Sequence, residues 1–157
     1  MLTELSLHVL DIAENSVKAQ AKNVGIEIII KEAENLLKII IRDDGTGMDE
    51  ETLKNVINPF YTTRKTRKVG LGVPFFREAA LQTEGDFNIT SKLGVGTTVT
   101  ACFTLNHLDR MPLGDISATI HTLVVYHPEL DFRYRYVFND AEFVLDTKEF
   151  KDILGDV

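Results

Sequence analysis

Two polar residues on the first predicted helix have side chains suited to phosphate chemistry. Asp11 and Asn15 lie four residues apart and therefore share one face of a helix. An amide oxygen such as that of Asn15 is a hard ligand that suits Mg²⁺. A carboxylate one turn earlier could orient or deprotonate a nucleophile beside a phosphate, which makes Asp11 the candidate catalytic residue. A plain solvated stripe on an amphipathic helix remains the alternative for this helix taken alone.

A second group of residues follows the second predicted strand, in the run Asp43-Asp44-Gly45-Thr46-Gly47-Met48. Gly45 and Gly47 permit a backbone that approaches a flat ligand closely. Asp43, at the strand end, can accept the exocyclic amine of adenine, and the flexible Met48 can lie against the base. An ordinary strand-to-helix turn is the alternative, because Asp and Gly are common there.

The third group is a loop rich in hydroxyls and cations that leads into a glycine-rich helix start. The residues predicted to contact phosphate are Thr62, Thr63, Arg64, Lys68, Gly70, Leu71 and Gly72. Amide groups at a helix N-terminus favour phosphate, although no Walker-type G-x-x-x-x-G-K-[ST] run occurs in the chain. A basic surface loop is the alternative. In the later turn, Gly94 to Thr98, the Thr97 hydroxyl could contact the base.

In their order and spacing, these groups resemble the GHKL ATPase superfamily of histidine kinases, gyrase, large heat-shock chaperones and mismatch-repair ATPases. The resemblance covers about residues 4–105 and lies in the runs DIAENSVKA, DDGTG, NPFYTTR and GLGV. It implies a Bergerat-type α/β (α+β) fold, a two-layer sandwich in which helices cover one face of a mixed sheet. It implies an ATP site with Asn15 as Mg²⁺ ligand, Asp43 as adenine acceptor helped by Thr97, and a lid formed by residues 58–69.

Two departures from the superfamily pattern bear on activity. Its hydrolysing branches carry Glu four residues before the Asn, where this chain has the shorter Asp11, and Lys68 replaces the first glycine of the lid box. Histidine kinases also need a helical hairpin with a phosphorylated His before this helix. Only three residues precede the helix here, so we expect a stand-alone domain without that module and interpret His8 as a packing or surface residue.

The hydrophobic periodicity predicts the elements that must position these groups. We expect helices at 4–21, 49–56, 70–83, 116–126 and 147–154, and strands at 24–31, 36–42, 87–91, 97–105, 132–138 and 142–145. The alternating strand 132–138 is either a core strand or an edge for a partner or dimer. We divide the chain into an ATP-binding domain, 1–105, and a small extension, 106–157, packed on that domain or on a partner.

Composition limits the classes of partner. The chain carries a net charge of −7, with 10 acidic and 5 basic residues after residue 105, which makes nucleic-acid binding an unlikely function. We expect a cytoplasmic protein without a membrane span. The leading hypothesis is an Mg-ATP-dependent kinase or phosphotransfer regulator that acts on a partner protein. The alternatives are a regulatory module with little turnover and an ATPase of the mismatch-repair or topoisomerase kind; a homodimer is also considered.

Overall fold

The computed structural model describes residues 3–57 and 72–154 of the chain. Its elements are α1 (Leu5–Lys18), β1 (Asn23–Lys31), a 3₁₀ turn (Glu32–Glu34), β2 (Leu36–Asp43), α2 (Glu50–Val56), α3 (Gly72–Leu81), β3 (Asp86–Lys92), β4 (Gly96–Thr104), α4 (Ile116–Tyr126), β5 (Asp131–Phe138), β6 (Ala141–Asp146) and α5 (Thr147–Leu154). The predicted elements are all present, and their ends move by at most a few residues, as expected where helices and strands fray.

One mixed sheet has the strand order β3-β4-β2-β1-β5-β6. Neighbouring strands are antiparallel except β1 and β5, which run parallel, with Ile26 beside Tyr134. The parallel pair is possible because α4 lies between these strands in sequence and supplies the crossover. The predicted α/β sandwich with a mixed sheet is therefore confirmed.

Buried residues alternate along the central strands and lie on a single face of the sheet. The register aligns Ile26 with Ile41 and Ile41 with Val99, and all three side chains are almost completely buried. Helices α1, α3 and α4 contribute buried residues such as Val9, Phe76 and Leu123 to the same cluster. The three helices thus cover one face, because each must bury its apolar stripe against the sheet.

The strand 132–138 is an interior strand of the sheet. Strand β5 pairs with β1 on one side and with β6 on the other, so its interpretation as a partner or dimer edge was wrong and the core-strand alternative was right. The alternating aromatic pattern places these side chains on one face of the sheet, and an interior strand and an edge strand can both show it. Among the described residues, no helix is long and apolar enough to cross a bilayer.

Candidate functional site

The Asp43 carboxylate is held at the end of β2 by two hydrogen bonds. Its Oδ2 atom accepts from the Ser16 hydroxyl at 2.6 Å, and its Oδ1 atom accepts from the Gly45 amide at 2.9 Å. Ser16 is buried on α1, directly after Asn15. The carboxylate therefore ties the strand end to the helix that carries Asn15, and its lone pairs retain capacity for a further donor.

The neighbouring carboxylate, Asp44, has a different role. It accepts hydrogen bonds from the Lys22 amide at 2.8 Å and from the Asn23 amide and side chain, each at 2.9 Å. Burial by itself would raise the pKa of Asp44, but these hydrogen bonds outweigh burial and lower the pKa. Asp44 thus fastens the turn to the start of β1.

Two glycines are required because the backbone passes very close to other backbone atoms. A Cβ atom on Gly47, at φ +69°, would lie 2.0 Å from the Lys92 carbonyl oxygen. A Cβ atom on Gly96, at φ +142°, would lie 2.0 Å from the Asp43 carbonyl oxygen. The turn after β2 and the turn between β3 and β4 are therefore packed against each other through their main chains, which fixes the rim of the site.

The Ser91 hydroxyl connects these two turns. It accepts a hydrogen bond from the Met48 amide at 2.8 Å and lies 2.8 Å from the Thr97 hydroxyl. Sequence reasoning identified Met48 and Thr97 but missed Ser91 and Ser16. Only the pairing of β3 with β4 reveals Ser91, which lies opposite Thr97. Ser16 belongs to the run DIAENSVKA, but its bond to Asp43 depends on how α1 packs beside the end of β2.

Beneath this rim, a cavity of about 270 Å³ opens between α1 and the sheet. Of the residues predicted for the site, the structure brings together Asn15, Asp43, Gly47, Met48 and Thr97 around this one cavity. The remaining wall is mostly apolar and was not predicted; it consists of Ile12, Lys18, Ala19, Ile41, Thr46, Val56, Val73, Ile89 and Val99. A mostly apolar slot with a few polar groups in its wall suits a flat heterocycle.

Other predicted residues lie beside the cavity or outside the described ranges. Gly45 packs against α1, where its Cβ atom would lie 2.7 Å from the Ala19 carbonyl oxygen, and it does not line the cavity. The residues predicted to contact phosphate other than Gly72 lie outside the described residues; they are Thr62, Thr63, Arg64, Lys68, Gly70 and Leu71.

Asp11 is exposed one turn before Asn15, where α3 begins. A Cβ atom on Gly72 would lie 3.3 Å from the Asp11 Oδ2 atom, so the first residue of α3 passes directly over this carboxylate. Pro74 falls within the first turn of α3, where proline is tolerated. Asp11 does not line the cavity and lies at its helix-start end.

Glu14, the residue before Asn15, points toward the C-terminal segment. Its two carboxylate oxygens lie 3.0 and 3.2 Å from the His127 Nε2 atom, at the end of α4. This contact joins the helix of the site to residues beyond 105. The sequence gives no signal for this contact, because Glu14 and His127 are 113 residues apart.

His8 is buried, as the packing interpretation predicted. Its ring stacks on Phe76 with centroids 5.6 Å apart, and its exposed fraction is 2%. Neither ring nitrogen has a hydrogen-bond partner in the described part of the chain. Burial lowers the pKa of His8, although the charge of nearby Asp11 acts in the opposite direction.

Comparison with solved structures gives the fold. The ATPase domain of MutL from Aquifex aeolicus, solved with ADP, aligns with 98% of this chain and 70% of its own, with a TM-score of 0.56 and 16% identity. The N-terminal domain of a DNA repair protein aligns with 99% of this chain and 58% of its own, with a TM-score of 0.64 and 16% identity.

Sequence comparison gives the relatives. The Bacillus subtilis sensor histidine kinase YvrG is 31% identical over 93 residues, which are 57% of this chain and 16% of that protein. Sensor histidine kinase WalK of the same organism is 35% identical over 102 residues, which are 60% of this chain and 16% of that protein. The chain thus spans much less than the full length of these relatives.

The family model that matches the chain covers residues 3–107, and so contains α1, the cavity and all the glycine turns described above. The match, the mixed sheet and the convergence of Asn15, Asp43 and Thr97 agree with one another. The chain therefore belongs to the histidine kinase-, DNA gyrase B- and HSP90-like ATPase family.

Proposed function

We propose that this chain binds Mg-ATP and acts as a kinase or phosphotransfer regulator on a partner protein. The observation that carries the proposal is the single cavity of about 270 Å³ on which the amide of Asn15, the carboxylate of Asp43 and the hydroxyl of Thr97 converge. Domains of this family bind ATP, and the curated relatives are sensor histidine kinases.

The polar end of the cavity fits an adenine ring. The Asp43 carboxylate is fixed by Ser16 and Gly45 and can still accept the exocyclic amine of the base. The Thr97 hydroxyl lies beside it on the next strand, since Asp43 and Thr97 are register partners. The apolar side chains of the wall would enclose the faces of the ring.

Asn15 fits the role of the protein ligand for Mg²⁺. In residues 3–57 and 72–154, no cluster of three His, Cys, Asp or Glu side chains could hold a metal. An ion bound through one amide oxygen, phosphate oxygens and water is the arrangement that Mg²⁺ favours in nucleotide sites. Asn15 would hold the ion, which would neutralise charge on the phosphates. Asp11 lies one helical turn earlier, beside the start of α3.

The experiment that tests this function has two parts. Calorimetric titration with ATP, with and without Mg²⁺, measures binding, and Asn15→Ala is expected to lower only the Mg²⁺-dependent part, by about 1–3 kcal/mol. Incubation with γ-labelled ATP and a candidate partner measures transfer to protein. Unchanged Mg²⁺-dependent ATP binding by Asn15→Ala would remove the proposed Mg-ATP site, and absence of transfer to any partner would remove the kinase half of the proposal.

A regulatory module with little turnover is the second candidate, and one observation favours it. Asp11 is one methylene shorter than the Glu of hydrolysing members, and general-base geometry tolerates an error of only about 1 Å. Asp11→Glu, compared with Asp11→Asn, separates the two candidates. A large gain in turnover with Glu supports the regulatory module, whereas loss of an already brisk turnover with Asn supports the enzyme.

A further inference from the structure

Strand β6 forms one edge of the sheet, and the charged side chains that it carries, Glu142 and Asp146, are both acidic. It ends the strand order, so in the described ranges no strand pairs with its outer side. Its sequence, AEFVLD, contains no proline and no lysine, and its pairing with β5 runs from Ala141 to Asp146 without a bulge. Natural edge strands normally carry such features because an open edge can pair with another chain.

The strand at the opposite edge of the sheet, β3, exposes only polar side chains, in contrast to β6. The exposed positions of β3 are Asp86, Asn88, Thr90 and Lys92, all polar or charged. On β6, Phe143 is 55% exposed and Val144 is 40% exposed. An apolar edge of this kind on an otherwise ordinary surface indicates a contact site.

The hairpin register identifies the backbone groups that β6 offers. Phe138 and Ala141 pair across a two-residue turn, so Ala141, Phe143 and Leu145 exchange hydrogen bonds with β5. The amide and carbonyl groups of the alternate residues, Glu142 and Val144, therefore point away from the sheet. An added strand would pair with these groups.

A cavity of about 360 Å³ lies beside this edge, on the face that the helices cover. Its walls are mostly apolar or aromatic, and they comprise Leu113, Gly114, Asp115, Ile116, Ser117, Tyr134, Tyr136 and Phe143. The Tyr134 and Phe143 rings pack edge to face with centroids 6.2 Å apart. An apolar side chain of an added strand, placed beside Phe143, would enter this cavity.

A second copy of the chain is a poor occupant because of like charges. If two antiparallel β6 strands paired about Val144, each Glu142 would oppose Asp146 of the other strand. Centring the pair on Phe143 opposes Asp140 and Asp146, and centring it on Glu142 opposes the two Glu142 side chains. Like charges directly opposite each other destabilise a sheet, so these three registers are disfavoured.

A basic strand, in contrast, would place positive charges opposite the acidic side chains of this edge. Glu142 and Asp146 lie on the open face of β6, and Asp115 lies at the cavity. Glu142 already pairs with Arg135, which also binds Glu27, and Arg133 is the register partner of Asp146. A basic strand would therefore share these carboxylates with two arginines of β5. Residues 106–157 carry 10 acidic and 5 basic side chains in total.

We propose that the β6 edge binds an extended, basic segment of a partner protein, which adds a seventh strand to the sheet. Its lysine or arginine side chains would lie opposite Glu142 and Asp146, and its alternate apolar side chains would lie beside Phe143. This binding mode combines backbone hydrogen bonds for affinity with alternate side chains for specificity. The site is separate from the nucleotide cavity.

The test uses a fluorescein-labelled peptide that alternates lysine and valine over about seven residues, an ordinary strand length. Anisotropy titration is expected to show saturable binding to the wild-type chain. Val144→Pro removes one outward amide and leaves the bonds to β5, so binding should weaken about ten-fold or more. Val144→Ala keeps that amide and should remain within about two-fold of wild type.

A second peptide, a further variant and a sedimentation measurement serve as controls. A peptide that alternates glutamate and valine should not bind, and Val144→Lys, which leaves the backbone intact, should weaken the lysine peptide if Val144→Pro fails to fold. Equal binding to the proline and alanine variants, or to both peptides, overturns the proposal. Dimerisation in sedimentation that Val144→Pro abolishes, without peptide binding, assigns the edge to a second copy instead. If the Val144 variants still bind ATP while the peptide result contradicts the proposal, only the proposed binding at the β6 edge is overturned and the proposed nucleotide site stands.

Discussion

The two parts of the chain, residues 3–104 and residues 116–154, are built on the same sheet but in different ways. In the first part, strand ends and turns are pressed together so closely that Gly47 and Gly96 leave no room for a Cβ atom. In the second part, β5 and β6 pair without interruption and meet at a two-residue turn. The candidate site thus lies where the backbone is tightly constrained, and the regular hairpin lies apart from it.

The two parts are nevertheless packed as one body at their junction. Strand β5 pairs with β1 from Asn23 to Ile30, and the amides of Leu5 and Ser6 bind the carbonyls of Pro112 and Leu113 at 2.9 and 2.8 Å. The second part thus covers what would otherwise be an open edge at β1. The two parts of the chain therefore share one sheet, although they differ in the residues that they carry.

The largest effect that tests this comparison is expected at Gly96. Gly96→Ala places a Cβ atom 2.0 Å from the Asp43 carbonyl oxygen at φ +142°, so the two turns must separate. We expect the free energy of unfolding, measured by urea denaturation, to fall by about 3 kcal/mol or more.

Gly94→Ala is the matched control for the same turn. Gly94 also has a positive φ, +81°, but a Cβ atom there would meet nothing within 4 Å. We expect a loss of about 1–2 kcal/mol from the left-handed conformation alone. Similar losses in the two variants would mean that the contact between the turns does not constrain the site as described.

The next effect concerns Asp43 and Asp44, two adjacent carboxylates at the end of β2. Asp43→Asn removes the charge beside the cavity and replaces one acceptor atom with a donor, which opposes the adenine amine. We expect ATP affinity in calorimetry to fall by about 1.5–3 kcal/mol, the range for hydrogen bonds to charged groups.

Asp44→Asn is the control, because Asp44 binds Lys22 and Asn23 and does not line the nucleotide cavity. Its ATP affinity should stay near the wild-type value. If Asp44→Asn weakens ATP as strongly as Asp43→Asn, the assignment of roles within this pair is wrong.

The structure also shows which of these features could be predicted from the sequence. Periodicity was enough for every element, and the turn residues around Asp43 marked the strand end, because local geometry restricts which residues can occupy such turns. The apolar wall was not predictable in this way. Ile89 and Val99 belong to ordinary strand patterns, and only the register brings them to face Ile12 across the cavity.

Dependence on contacts distant in sequence also explains why the sequence did not indicate the roles of the two serine hydroxyls, and why strand 132–138 could be interpreted as an edge. Ser16 and Ser91 act through partners 27 and 43 residues away, at Asp43 and Met48. The position of β5 depends on its parallel pairing with β1, which no local pattern encodes. Contacts distant in sequence are set by topology, so motif reasoning indicated the candidate site but not the residues that support it.

A smaller effect is expected at His8, which lies in the helix layer of the first part. Burial lowers the pKa of His8 below its ordinary 6.5, so the unfolded chain takes up a proton more readily than the folded one. Stability is therefore fully present above pH 6.5 and is lost as pH falls through the lowered folded-state pKa. His8→Leu should remove this component and raise stability at pH 7 by about 1 kcal/mol, since two unpartnered ring nitrogens disappear.

Urea unfolding at several pH values, with the exposed His121→Leu as control, checks this expectation. The difference between His8→Leu and wild type should grow as the solution is acidified below pH 6.5. A difference that stays constant with pH would show that protonation of His8 is not resisted by the fold.

The smallest effect is expected for the contact that joins the two parts, between Glu14 and His127. The side chains are 37% and 18% exposed, so solvent screening keeps the interaction weak. A double-mutant cycle with Glu14→Ala and His127→Ala should give a coupling energy of about 0.5 kcal/mol in urea unfolding. A coupling several times larger would mean that this pair, rather than the β1–β5 ladder, holds the C-terminal segment against the helix of the nucleotide site. Because Asn15 follows Glu14 directly, the same cycle measured on ATP affinity then tells whether the segment influences the nucleotide.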